Sequence, residues 1–477
     1  RVMVGLKKID IFFLYLATFV ISSSLLMVEI VSTRVSKIAL GYDFQFVILS
    51  FALVGIGLGA IVVYFKWEKI SRDLGKNLAR FSLLYTALLL LPFLIIHYAN
   101  FYPTFLITVS FFLSSFLVYT VAGIILASIF REHSKDISVI YAIIFIGSAF
   151  GALASILLLQ AFGTQVSILL ILMFSTLAIL AFSYSLSRSP LKMLSLFMVL
   201  LMFLLIFLFP DFFISRLEIK CDHKIEILLS DSNSFSQIDS YKVKPNELLR
   251  EPYPNYDWKA LSTESDTYKM SIDCMGKTRA IEYNKSKNIG YIALDISNFP
   301  FMIRDYTNAL LIGSGAGIDV VRAHLSKIKD ITAVEINPII IQLADKLLSQ
   351  EENIYYKDNV NLVVSEARSF IENSDDKYSL IYIPSSKSYG ASSITSYALL
   401  ENYLFTEEAF DTYLNHLTPD GIFAIADLNS FIERYIETGI STLINAGINP
   451  AEHIFILGGK RTSIIIIQKQ EFSDIDK

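Results

Sequence analysis

Hydrophobic positions are distributed along the chain in two ways, and the change comes near Phe213. Before it, apolar residues form seven nearly continuous runs, at about 9 to 33, 44 to 65, 81 to 99, 104 to 130, 138 to 162, 164 to 186 and 191 to 213. A bilayer's hydrocarbon core is ~30 Å thick and an α-helix rises about 1.5 Å per residue, so roughly 20 apolar residues cross it. Each run therefore predicts a spanning helix. The first run is long, carries Glu29, ends near Arg34 and is followed by further spans, which separates it from a cleaved signal peptide.

After Phe213 the apolar runs become short. From Arg216 to Pro300 they alternate with polar residues, as in Lys224 to Leu229 and Thr278 to Tyr283, and a polar loop from about Pro245 to Thr267 interrupts them. This predicts a small β-rich subdomain. From Asn308 the pattern alternates between strand and helix. Strands are expected at 309–312, 331–334, 360–364, 378–383, 421–425, 453–457 and 463–467. Helices are expected from Ile318, up to Leu348, from Glu366, over 407–417 and after the strand at 421–425. Such alternation specifies a mostly parallel sheet covered by helices on both faces, with the last strand inserted antiparallel. The predicted organisation is a multi-pass α-helical membrane domain over 1–213, a β-rich subdomain over 214–300 and an α/β Rossmann-like, nucleoside-binding domain over 301–477.

Composition sharpens this division. The 477 residues are 53% hydrophobic with a mean hydropathy of +0.52, too apolar for a uniformly soluble enzyme. Up to Phe213 there are 14 Lys and Arg against 8 Asp and Glu, which leaves 26 and 37 for the remainder. The first part is thus +6 and the second −11. An acidic second part without a basic run argues against nucleic acid as a partner. Two cysteines, Cys221 and Cys274, and six scattered histidines show no ligand spacing, so no metal site is expected. The cysteines either pair or remain two thiols.

Charge also bears on sidedness. Lys66, Lys69, Arg72, Lys76 and Arg80 fill one expected loop, Arg131 and Lys135 a second, and Arg188 and Lys192 a third, all on the side of Lys7 and Lys8. The positive-inside rule makes that side cytoplasmic. Seven spans then put the C-terminal domain outside, whereas supply of an adenosyl cofactor argues for the cytoplasm; the side stays open. Within the spans, Gly55-Ile56-Gly57-Leu58-Gly59 and Gly147-Ser148-Ala149-Phe150-Gly151 permit close helix approach, for packing or as hinges. Glu29 either pairs with Arg34 at the interface or marks a functional position.

The first strand after Asn308 runs into Gly313-Ser314-Gly315-Ala316-Gly317 and then a helix, where a doubly wound sheet binds its nucleoside. Eighteen residues beyond Gly317, at the end of the next strand, Glu335 is placed to accept hydrogen bonds from both ribose hydroxyls. The G-x-G-x-G order differs from the dinucleotide pattern and favours an adenosyl-sulfonium ligand. Glu366, in Ser365-Glu366-Ala367-Arg368, is a candidate for the adenine amino group or a helix N-terminal acid.

Gly313 to Val320 (which includes Asp319), Val334-Glu335-Ile336-Asn337-Pro338 and Thr406-Glu407-Glu408-Ala409-Phe410 resemble the spermidine synthase family. The chain is most similar to membrane-fused spermidine synthase-like proteins, whose first helical hairpin resembles Val28 to Arg34, Leu40-Gly41-Tyr42 and Ser50 to Gly59. The resemblance implies a methyltransferase/spermidine synthase type of Rossmann-like domain. It also implies S-adenosylmethionine or its decarboxylated form as the substrate-type cofactor, held by Gly313, Ser314, Gly315, Gly317, Asp319, Glu335 and Glu366. The family's acidic Asp-Ser-Ser-Asp loop, which holds the amine substrate, is Pro384-Ser385-Ser386-Lys387 here. The acid of its glycine motif is Ala316, and its Tyr-Gln pair corresponds best to Phe235-Ser236. Ser385, Ser386, Lys387 and Tyr389 then either line an altered acceptor pocket or form a polar surface loop. The implied partners are the lipid bilayer and a small-molecule acceptor that the sequence does not identify; a homo-oligomer is compatible with it. Three readings follow: a transferase, a catalytically silent nucleoside sensor coupled to the helices, and a transporter with a regulatory domain.

Overall fold

The structure is a computed structural model that describes residues 8–41, 44–97, 104–186, 191–208, 214, 226–243, 267–274, 276–283, 290–384 and 403–472. The chain divides into two compact units, one built on residues 1–224 with 232–237 and the other on residues 225–231 with 238–477.

The first unit is helical: α1 (Lys8–Leu40), α2 (Phe44–Ser71), α3 (Leu74–Leu89), α4 (Leu91–His97), α5 (Thr104–Glu132), α6 (Ile137–Leu186) and α7 (Leu191–Leu208). Five of its helical stretches are long and apolar enough to cross a membrane, among the described residues. The last of the five contains two of the expected spans, because α6 is broken at Gly163 (φ 70°, ψ −176°). Gly147 and Gly151, in its first half, lie against Ser22 and Ser23 of α1. Its second half begins beside Arg34, whose Nε donates to Thr164 Oγ1 at 3.2 Å, and returns until Tyr184 stacks on Phe13 at 5.5 Å. The two halves are therefore a hairpin packed along α1.

Small residues set the closest approaches, as their spacing suggested. A Cβ at Gly59 would lie 2.6 Å from the Gly123 backbone, so α2 and α5 touch through their main chains there. Two expectations need correction. The basic segment from Lys66 to Arg80 is mostly helix, with α2 kinked at Lys66 and α3 starting at Leu74; helices continue past their apolar run because their own backbone bonds satisfy the peptide groups outside hydrocarbon as well as inside. Arg34 turns to Thr164, and among the described residues Glu29 forms no ion pair with it.

The second unit holds two sheets. Strands β1 (Leu229–Ser232), β2 (Gln237–Lys242), β3 (Thr267–Ile272) and β4 (Gly276–Ile281) lie in that order, with β2, β3 and β4 antiparallel. The first strand starts where the run Lys224 to Leu229 was expected to end, and the loop expected from Pro245 lies, up to residue 266, outside the described residues. Cys274, in the β3–β4 turn, is disulfide-bonded; Cys221 lies outside the described residues.

The larger sheet contains β5 (Asn308–Ile312), β6 (Asp330–Glu335), β7 (Val360–Val364), β8 (Tyr378–Pro384), β9 (Leu417–Leu428), β10 (Ile454–Gly458) and β11 (Thr462–Gln468). Their order is β10-β11-β9-β8-β5-β6-β7, all parallel except β11, which is antiparallel to both neighbours. This is a Rossmann-like sheet of the methyltransferase/spermidine synthase type. Helices α8 (Ile318–Leu325), α9 (Pro338–Leu347), α10 (Ala367–Glu372), α11 (Glu407–Asn415) and α12 (Asn429–Asn445) cover it. Alternate residues of β5 enter different cores: Ala309 and Leu311 join Val320 and Val321, and Leu310 and Ile312 join Phe410 and Tyr413. A strand buried on both faces has to be apolar throughout, which is why β5, β8 and β11 read as continuous runs.

Local chemistry starts the helices. Asn337 Oδ1 accepts from Ile339 N at 3.2 Å, ahead of Pro338 in the first turn of α9, and Thr406 Oγ1 accepts from Ala409 N at the same distance to open α11. The Asn337 cap stands two residues past the end of β6, at the carboxyl edge of the sheet.

Candidate functional site

The turn between β5 and α8 lies at the carboxyl edge of the parallel strands, where a doubly wound sheet leaves a crevice. Gly313 N and Ser314 N both donate to Val334 O, at 2.8 and 3.1 Å, which ties the turn to the end of β6. Gly313, Gly315 and Gly317 all have positive φ, at 72°, 60° and 98°. At Gly315 a side chain would also overlap Thr278 Oγ1, and at Gly317 a Cβ would come within 2.7 Å of Ile354 Cγ2. The G-x-G-x-G spacing is thus a backbone requirement as well as a close-approach one.

Glu335 closes the turn from below. Its Oε2 accepts from Gly315 N at 2.8 Å and its Oε1 from Asn337 N at 2.9 Å, with the residue only 6% exposed. A carboxylate has about four lone-pair positions. Backbone N–H groups occupy some of these, and those that remain can accept from the hydroxyls of a ribose. Burial pushes the Glu335 carboxyl above its ordinary range, and the N–H groups of Asn337, Gly315 and Ile336 pull it back without cancelling the rise.

Two partners of the turn were not singled out in the sequence. Thr278 Oγ1, from β4, accepts from Ala316 N at 2.8 Å. Tyr355, from the short 3-10 turn Ile354–Tyr356, directs its hydroxyl to Gly315 O at 2.7 Å and Ser314 Oγ at 2.9 Å. Asn353 Oδ1 caps that turn by accepting from Tyr355 N, and Asn353 Nδ2 donates to Asp345 Oδ1 at 2.8 Å, which anchors it to α9. Burial pushes the Tyr355 hydroxyl up, against a smaller lowering by Ser314, so it stays protonated and keeps donating. The asparagine ahead of a Tyr-Tyr pair was the available signal for a capped turn.

The remaining expected site residues are placed differently. Ser314 is buried, and its hydroxyl faces Tyr355. Asp319 is in the first turn of α8, but its carboxylate meets Arg322, which is fully buried and also lies 3.7 Å from Asp295 Oδ1. Glu366 is the N-cap of α10: its Oε1 accepts from Arg368 N at 2.9 Å and its Oε2 from Ser369 N at 2.7 Å. Partial burial raises its carboxyl, but the N–H groups of Ser369 and Arg368 outweigh this and hold it below the ordinary carboxylate range. Ser365 N donates to Glu335 O at 3.1 Å, so the two acids stand at adjacent strand ends. Ser385, Ser386, Lys387 and Tyr389 lie outside the described residues. The site therefore brings together the three glycines, Ser314 and Glu335, with Glu366 on the neighbouring strand end and Asp319 turned into the core.

Residues 293–449 match the spermine/spermidine synthase domain family. Over 130 residues the chain is 29% identical to a polyamine aminopropyltransferase of Buchnera aphidicola, covering 27% of this chain and 42% of that protein. Over 132 residues it is 26% identical to one of Clostridium botulinum, covering 28% and 43%. The chain thus spans less than half the length of these curated relatives. Among solved structures, a spermidine synthase from Thermotoga maritima has 14% identity and a TM-score of 0.34, over 52% of this chain and 75% of that one. A human methyltransferase-like protein 13 in complex with SAH has 15% identity and a TM-score of 0.28, over 38% and 84%.

Proposed function

We propose that this chain, whose C-terminal domain is spermidine synthase-like, is a membrane-anchored transferase that binds S-adenosylmethionine or its decarboxylated form and passes a group to an acceptor other than a free polyamine. The observation that carries the reading is Glu335, a buried carboxylate held at the glycine turn by hydrogen bonds from Gly315 N and Asn337 N. The turn requires glycine at Gly313, Gly315 and Gly317, and Glu366 at the next strand end supplies a second acceptor.

In such a transfer the acceptor's nucleophile forms a bond to a carbon next to the sulfonium. The carbon–sulfur bond breaks with its electron pair going to sulfur, and the nucleophile loses a proton. A polyamine acceptor is held by carboxylates, but Lys387 follows β8 where the family has an acid. Unit charges 4 Å apart interact by roughly 4 kcal/mol at an effective dielectric of about 20, so a lysine there disfavours a cationic acceptor strongly. The same substitution favours a second reading, a nucleoside sensor without transfer.

The test uses the full chain in lipid nanodiscs. Calorimetry with each adenosyl ligand is followed by mass spectrometry of products from a membrane extract supplied as acceptor. Binding with a transferred group supports the transferase, binding without one supports the sensor, and no heat with either ligand overturns both.

Sidedness follows from the same reading. If each of the seven expected runs crosses once, with the break at Gly163 separating the fifth from the sixth, the basic residues at 66–80, 131–135 and 188–192 fall on one side. The synthase-like domain then emerges on the opposite, extracytoplasmic side, where the disulfide of Cys274 is at home. Trypsin digestion of sealed vesicles of known orientation tests this: cleavage of the domain only in right-side-out vesicles is expected, and cleavage only in inverted ones overturns it.

A further inference from the structure

One end of the helical unit is basic, and its cations stand on a braced surface. Phe44 to Phe65 of α2 carries no charged residue, and at about 1.5 Å per residue it spans ~33 Å, one hydrocarbon core. The first charge after it is Lys66, where the helix kinks (φ −108°, ψ 15°). Arg131, at the end of α5, braces the kink. Its Nη1 donates to Val63 O and Tyr64 O, both at 3.3 Å, and its guanidinium lies 4.8 Å over the Trp67 ring. The turn from α2 to α3 is tied down as well, since Asn77 Nδ2 donates to Ile70 O at 2.9 Å and both Ile70 and Leu78 are buried.

Residues 66–80 and 131–136 hold seven Lys or Arg against four Asp or Glu, a net charge of +3. Lys76 pairs with Asp73 at 3.2 Å, and Arg131 is committed to the kink. Lys66, Lys69, Arg72, Arg80 and Lys135 are exposed and, among the described residues, form no ion pair. Directly before them on the chain, Tyr64 and Phe65 are 71% and 74% exposed. A partner for this surface therefore has to be anionic and apolar at once. An acidic polymer in water would satisfy the cations and leave the two rings in solvent. An anionic lipid offers phosphate to the basic side chains and acyl chains to the rings. Depth agrees with this, because the charges begin where the apolar run has used up one hydrocarbon thickness, at the level of the headgroups.

We propose that this end of the helical unit is a binding surface for anionic lipids, with Lys66, Lys69, Arg72 and Arg80 contacting headgroup phosphate and Tyr64, Phe65 and Trp67 set against the adjoining acyl chains. This rests on the reading that the N-terminal helices cross a bilayer, and the nucleoside site plays no part in it.

Trp67 serves as the probe. The full chain, with its only other tryptophan removed as Trp258→Phe, is reconstituted in mixed bilayers of phosphatidylcholine and phosphatidylglycerol. One lipid or the other carries brominated acyl chains, which quench Trp67 on contact. Phosphatidylglycerol is expected to bind beside Trp67 about fivefold or more tightly than phosphatidylcholine, roughly the factor for one cation near an anionic headgroup. That preference should fall towards one when Lys69→Gln, Arg72→Gln and Arg80→Gln are combined, and at about 1 M salt, where screening sets in within ~3 Å. It should rise in Glu68→Gln. Equal quenching by the two lipids, or a preference unchanged by the triple variant or by salt, overturns the proposal. If the triple variant does not fold, Arg72→Gln and Glu68→Gln decide by the direction of the change. Absence of quenching by either lipid overturns the bilayer reading itself, which equal quenching would leave standing.

Discussion

Replacing Tyr355 by phenylalanine removes a single oxygen and leaves the ring against Gly317, so it opens no cavity. What it takes away is the donor that faces Gly315 O at 2.7 Å and Ser314 Oγ at 2.9 Å. Its single proton serves one of the two at a time, so one buried acceptor loses its donor. Leaving a buried acceptor unpaired costs about 1–3 kcal/mol, and Ser314 recovers part by rotating its hydroxyl. The whole cost falls on the glycine turn, because Tyr355 touches the site nowhere else with a polar atom. If the turn must be restored before an adenosyl ligand binds, affinity drops by the same free energy, about five- to a hundredfold. The assay is calorimetric titration with S-adenosylmethionine and its decarboxylated form on the full chain in nanodiscs, paired with hydrogen exchange of the peptide covering 312–317. Tyr356→Phe is the matched control, since that side chain is 50% exposed and should change neither readout. Unchanged affinity and exchange in Tyr355→Phe, or equal effects from both variants, would refute the argument that this hydroxyl shapes the turn.

Other substitutions separate roles that the sequence leaves merged. Glu335→Gln keeps one acceptor for two backbone N–H groups and turns an NH2 towards the other; exchange of the Gly315 amide should rise, and adenosyl affinity should fall about tenfold or more. Asp319→Asn should lower stability through the buried Arg322 pair while leaving adenosyl affinity within about twofold. Arg322→Ala should cost about 3–5 kcal/mol in chemical denaturation by stranding Asp319 and Asp295. Glu366 has a carboxyl held below its ordinary range, so its contribution is present above the unfolded-state value and is lost as pH falls through the depressed one. Stability of the full chain should therefore exceed that of Glu366→Gln at neutral pH, and the two should converge as pH falls through the depressed value.

Much of the α/β architecture was legible because its strands are buried on both faces, and runs such as Ile464 to Ile467 have no other stable place. The glycine turn and Glu335 were legible for a different reason: a tight turn and an acid at the next strand end recur at fixed separation. Thr278 and Tyr355 were not, since they reach the turn from 38 and 40 residues away and look in sequence like an ordinary strand residue and an ordinary core aromatic. The motif position of Asp319 says nothing about its rotamer, and the buried Arg322 one turn later pairs with it. In the β-rich subdomain, β2 was not singled out because Gln237, Asp239 and Ser240 are buried polar residues, which breaks the alternation that marks a half-buried strand.

The break at Gly163 also sets a length. Without it, the 50 residues of α6 would form a rod of roughly 75 Å at about 1.5 Å per residue, more than twice a hydrocarbon core of ~30 Å. Tilt alone accommodates only a fraction of such a mismatch. A residue that resists φ 70° at this one position, valine for instance, would therefore set an elastic penalty in the surrounding lipid against backbone strain in the chain. Bilayer thickness would become a variable that tunes the protein: thin membranes should favour the folded-back hairpin most, and thick ones least.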